Sequence, residues 1–149
     1  MLYEGVGIMK SPSEEILKRS KDEPYAQLLG MTTLEVSPGH ALVEMKYEPS
    51  MKSLLGAMHG GAIFSLIDDA FEFGANSHGT LAVALNMNIT FMAMPKAGST
   101  LRAECREINV TNRTGTYEIM VTDDSGTKIA LCQALAYRKK DPLSFLEKS

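Results

Sequence analysis

Two hydrophobic periods divide the middle of the chain. Ile63, Leu66, Ile67, Ala70 and Gly74 recur at helical spacing and make one apolar stripe. From Leu81 the period becomes two. Leu81, Val83, Leu85, Met87, Ile89 and Phe91 share one face, and Asn86, Asn88 and Thr90 the other. The pattern predicts a helix that begins near Gly60 and stops between Asn76 and Gly79, followed by a strand. "STLRAECREINV", "GTYEIMVTD" and "TKIALCQALAYR" read as three more strands, separated by turns at Met94–Ser99, Thr111–Gly115 and Asp123–Gly126. Short connections predict antiparallel pairing of these four strands as a meander.

Upstream, Ser11 with Glu14 has the spacing of a capping box, and Pro12 suits a first helical position. Pro24 restarts a second short helix that Gly30 would end. "TTLEVSPGHALVEMKYEP" alternates around Pro38 and Gly39, a hairpin signal, and a loop runs from about Pro49 to Met58. One long helix against an antiparallel sheet is an α+β arrangement. We expect one domain over 1–149: an N-terminal helical segment (1–30), a core (31–138) and a C-terminal tail (139–149).

The bulk numbers narrow the functional classes. With 149 residues, 44% hydrophobic and 22% charged, the chain reads as a globular domain. A net charge of -3 offers no basic field for nucleic acid or an anionic membrane. No apolar run approaches the ~20 residues of a membrane span, and no secretory pattern is visible at the N-terminus. Two cysteines without metal spacing, Cys105 and Cys132, suggest free thiols and a cytoplasmic setting. The three histidines, His40, His59 and His78, lie in separate elements, and Asp123 and Asp124 sit in a turn, so no metal site is expected.

"MHGGAIFSLIDDAFEFGANSHG" (58–79) carries the candidate chemistry. A helix start presents free N–H groups and a positive dipole end, and glycine lets a substrate carbonyl approach them. His59, Gly60 and Gly61 stand there. At ~100° per residue, Asp68 falls on the flank of Phe64, Phe71 and Ala75, and Asp69 nearer Ser65 and Glu72. Asp68 is then expected among apolar groups, with a raised pKa, and Asp69 in solvent. A merely polar helix face remains open as the reading of the pair, as does a backbone-bonded helix entry for His59 and close packing for the glycines.

"HGGAIFSLIDDAF", "AVALNMNITFMAMPKAG" and "NRTGTYEIMVTD" resemble the hotdog-fold acyl-CoA thioesterases of the phenylacetate-degradation type, close to the 4-hydroxybenzoyl-CoA thioesterase superfamily. The resemblance runs from about Tyr25 to Arg138. It implies a central helix wrapped by a curved antiparallel sheet, and homodimers, commonly paired into homotetramers, with sites at the interface. It places the catalytic carboxylate on Asp68, nine residues after His59, and the carbonyl-polarising amide on Gly60 or Gly61, with His59 beside it. Asp68 would activate water or attack the thioester itself. Relatives often have Asn where Ser53 stands, and Ser or Thr where Ala84 stands. Ser53, Ala84, Asp69 and Arg113 are the substrate-side candidates, Arg113 as a cation for a coenzyme A phosphate. Lys96 and Arg102 are other cations of that kind. Coenzyme A is part of the substrate, and no cofactor is expected.

The expected reaction is hydrolysis of an aryl-acyl or fatty acyl-CoA to free acid and CoA. A non-catalytic acyl-CoA binding module of the same fold is the alternative. The segment before the hairpin is too short and insufficiently basic for an attached DNA-binding domain. A hydratase would need a His–Asp or His–Glu arrangement in a longer signature, which the chain lacks. The ten methionines could line a pliable acyl tunnel, although filling gaps in the core is the simpler use.

Overall fold

The computed structural model describes residues 10–147; residues 1–9 and 148–149, the outer ends of the expected N-terminal segment and tail, lie outside the described residues. The chain runs α1 (Pro12–Ser20), α2 (Pro24–Leu29), β1 (Thr32–Ser37), β2 (His40–Lys46), α3 (Gly60–Asn76), β3 (Thr80–Phe91), β4 (Thr100–Val110), β5 (Thr114–Asp123) and β6 (Lys128–Pro142). Single 3-10 turns follow β2 at Pro49–Met51 and β6 at Ser144–Leu146. This is the hotdog fold: one long helix held by a curved antiparallel sheet, with short helices in front.

Local signals account for most boundaries. Pro12 and Pro24 open their helices, and Gly30 ends α2 in the left-handed region at φ 67°. The capping box is not made, since Ser11 stands at the N-cap without a side-chain bond. Pro38 and Gly39 turn the β1–β2 hairpin, pairing Ser37 with His40. β6 runs on to Pro142, past the point where the sequence alternation fades at Arg138.

The sheet order is β1-β2-β4-β5-β6-β3. The expected four-strand meander is therefore corrected: β4, β5 and β6 form one, but β3 pairs with β6 at the far edge and β4 pairs with β2. The link after β3 explains why. Its Met92 and Ala93 N–H groups donate to Ile129 O at 2.8 and 3.2 Å, and Gly98 N–H donates to Tyr47 O at 3.2 Å. The link thus crosses from the start of β6 to the end of β2 instead of turning a hairpin. At the other end of β3, Asn76 exchanges two hydrogen bonds with the Ala82 backbone (3.1 and 2.8 Å), which fixes where the strand leaves the helix.

The α3 stripe is buried throughout, from Ile63 to Gly74. It rests on small residues of the sheet, Ala41, Ala103, Ala134 and Ala136, all at most 1% exposed. Phe71 meets Tyr117 edge-to-face, with ring centroids 5.7 Å apart. At Gly74 the fit is closest: an added Cβ would stand 2.7 Å from Cys105 Sγ. Met45, Met51 and Met58 fill the core, as expected of gap-fillers, whereas Met92 and Met94 are exposed. No helix among the described residues is long and apolar enough to cross a membrane.

Candidate active site

His59 is the N-cap of α3, and its Nδ1 accepts the Gly61 N–H at 2.8 Å. The ring proton therefore sits on Nε2. His59 O takes the Ala62 and Ile63 N–H groups at 3.0 and 3.5 Å. The Gly60 N–H alone in this first turn meets no acceptor among the described residues. Of the two expected amides, Gly61's is consumed by the cap and Gly60's is available at the positive end of the helix. A Cβ on Gly61 would press on His59 Nδ1 at 3.0 Å, so the cap itself needs glycine there. A Cβ on Gly60 would touch the Phe91 ring at 3.4 Å.

The two aspartates reverse their expected environments. Asp68 is exposed, beside the half-open Phe64, whereas Asp69 is 4% exposed. The helical wheel placed both correctly by angle. It could not show that α1 and α2 fold across the Asp69 flank, where Tyr25 Oη bonds Ser65 Oγ at 2.8 Å and Ser13 Oγ donates to Ser77 O at 3.1 Å. Asp68 opens on a cavity of about 880 Å³, and the surrounding wall still pushes its carboxyl above the ordinary value. Burial, then the acidic Glu23, Glu72 and Asp68, push Asp69 up to about 8.

The structure brings Asp68 and Ala84 together on that cavity, with Phe71 and Leu143 on its apolar side and Glu23, Glu72 and Arg19 on its polar side. Ala84 precedes a register shift in β3, at Ala84/Asn86, which turns Leu85 outward at 59% exposure. Gly60, Gly61, His59, Ser53, Asp69 and Arg113 are not on the cavity wall. Ser53 shapes the loop before α3: its Oγ accepts the Leu55 N–H at 3.2 Å and its N–H donates to Ala57 O at 2.7 Å. Arg113 is exposed in the β4–β5 turn, where its carbonyl accepts the Arg138 N–H at 2.7 Å. Arg102 is committed to Glu44 at 2.8 Å.

Gly60 and Asp68 stand eight residues apart on one rigid helix, ~12 Å along its axis. One thioester carbonyl cannot meet both groups of the same chain. The sequence did not single out Glu23, because its approach to Asp69 exists only once α2 has docked on α3.

A helix seated in this sheet, with an open N-terminal amide and a mid-helix carboxylate, defines a hotdog-fold thioester hydrolase. The family model of the thioesterase superfamily matches residues 55–130, and the chain belongs to that superfamily, as a member of the PaaI type. A relative from Archaeoglobus fulgidus is 38% identical over 129 residues, 83% of this chain and 84% of its own length. The acyl-coenzyme A thioesterase PaaI of Escherichia coli is 31% identical over 118 residues, 79% of this chain and 84% of that protein. The solved structure of Escherichia coli PaaI matches with a TM-score of 0.83 at 28% identity, covering 90% of this chain and all of that one.

Proposed function

We propose that the protein hydrolyses acyl-CoA thioesters, aryl-acyl or fatty acyl, to the free acid and CoA. The observation that carries this reading is Asp68, an ionisable group with raised basicity opening on a large, partly apolar cavity. The activity named for the Escherichia coli relative supports the choice of thioester.

In the general-base route, Asp68 takes a proton from water and the hydroxide adds to the thioester carbonyl. The Gly60 N–H holds the oxyanion. Collapse breaks the C–S bond, and the thiolate leaves with the proton. In the nucleophilic route, Asp68 itself displaces the thiolate, and water then hydrolyses the mixed anhydride. Ala84 lines the cavity, Ser53 holds the loop that leads into α3, and exposed Arg113, in no ion pair among the described residues, is a rim cation for a CoA phosphate.

The helix spacing asks for a second copy of the chain, so that Asp68 of one faces Gly60 of the other. β3 is the edge for that pairing: it is unpaired on one side and exposes Val83, Leu85 and Phe91 at 39%, 59% and 53%. The working unit in this reading is a homodimer, which can pair again into a homotetramer. Thiol release from a panel of acyl-CoAs tests the reading. Binding of acyl-CoA without thiol release would move it to the binding module, and turnover that survives unchanged in Asp68→Asn would take the chemistry away from Asp68.

A further inference from the structure

The chemistry above leaves one acidic cluster unused. Glu23 stands just before α2, and Asp69 and Glu72 stand one turn apart on α3. One carboxylate oxygen from each lies within 4.8 Å of the other two. No cation pairs with them among the described residues. The charged groups bearing on Asp69 are Glu23, Glu72 and Asp68, all acids. Arg19, on the same cavity wall, is committed to Glu15 at 2.7 Å and to the face of Phe145 at 4.7 Å. Independently, Asp69 is 4% exposed, and its Oδ2 meets no donor among the described residues. A buried acceptor without a partner is costly, and the carboxylate that carries this one contributes an oxygen to the cluster.

We infer that Glu23, Asp69 and Glu72 form a site for a hard divalent cation of the calcium, magnesium or manganese class, which clamps the start of α2 to the middle of α3. Three carboxylates without a nitrogen or sulfur donor select such an ion over zinc or copper. The spacing is compatible with one ion: oxygens at 2.1–2.4 Å from it are roughly 3.0–3.4 Å apart when adjacent and roughly 4.2–4.8 Å apart when opposite, and all three pairs here lie within 4.8 Å. Asp69 is the buried ligand. Glu23 and Glu72 close from the solvent side, which leaves positions for water. The expectation of no metal rested on the spacing of the cysteines and histidines and on the Asp123–Asp124 turn. Carboxylates from α2 and α3 have no such signature. Glu23 and Glu72 border the cavity on which Asp68 opens, but the cluster takes no step in the hydrolysis proposed above, and its test does not read turnover.

The test uses the full chain, stripped with EDTA, dialysed and studied at pH 8. Electron paramagnetic resonance titration with MnCl₂ counts tight sites, and melting curves with CaCl₂, MgCl₂ or MnCl₂ read the clamp. We expect one tight Mn²⁺ per chain and a Tm rise on the order of 5 °C or more with the preferred ion in large excess over its Kd. Asp69→Asn and Glu23→Gln should each weaken Mn²⁺ at least roughly tenfold. Glu23→Gln, at the half-buried side of the cluster, serves if Asp69→Asn does not fold. Absence of a tight site, or one of unchanged affinity in Glu23→Gln, overturns the inference.

Discussion

His59 Nδ1 holds the Gly61 N–H at 2.8 Å, and this one bond separates the two glycines of the motif. The Gly61 N–H is taken by the cap, and the Gly60 N–H is not. If His59 acts as a cap alone, its removal should cost stability and not chemistry. His59→Ala should lower stability by about 0.5–2 kcal/mol, and His59→Asn, which restores a capping oxygen, should recover most of it. Chemical denaturation of both variants checks this. A large kcat loss in His59→Asn with normal stability would return His59 to the chemistry.

Asp68→Asn should lose ~10²–10⁴ in kcat with Tm retained, as removal of a general base does. The pH profile adds a second reading. The Asp68 carboxyl is raised, and only its ionised form is a base, so kcat/KM should fall with falling pH along a limb above the ordinary value of 3.8. Rates of thiol release from pH 4 to 9 check this. A limb that persists in Asp68→Asn would assign it to another group.

Asp69 gives a stability signature in the EDTA-treated protein. Its folded value, about 8, lies above the ordinary 3.8, so the folded state binds the extra proton between these limits. Stability should be highest below about pH 4 on this account and fall as pH rises towards 8. The neighbours that face it, Glu23, Glu72 and Asp68, are acids and push the same way. Asp69→Asn should flatten the slope and gain about 1–3 kcal/mol at pH 8. Denaturation midpoints across that range check it, and a wild-type curve that rises towards pH 8 would contradict it.

Gly74→Ala places a methyl 2.7 Å from Cys105 Sγ, in a core where neither partner is exposed. We expect a loss of about 1–3 kcal/mol. Adding Cys105→Ala should restore part of it, because the clash is with that sulfur. Thermal melts of the single and double variants decide.

Leu85→Lys puts a charge on the bulge of the free β3 edge, where Leu85 is 59% exposed. Light scattering should show the wild type as a dimer or larger and the variant shifted to monomer, with turnover lost alongside. A wild-type monomer that is stable and active would remove the two-copy site.

Much of this molecule is legible in one dimension, because neighbours in sequence determine it. Pro12 and Pro24 set φ at helix starts, and Gly30 accepts a left-handed end. The 63-66-67-70-74 stripe is the buried face of α3, since a helix turns by a fixed angle per residue. The "HGG" start and the carboxylate nine residues on were singled out by resemblance to a family motif, and the helical angle added only which flank each aspartate shares. What the tertiary structure alone decided depends on which surfaces meet. β3 joined β6 because its link crosses the sheet, although alternation looks the same beside any partner. Asp69 became the buried aspartate because α1 and α2 cover its flank, and Asp68 stayed open because they do not. Angle around a helix says which residues share a side. Only packing says which side is covered, and burial is what moves a carboxyl's proton affinity.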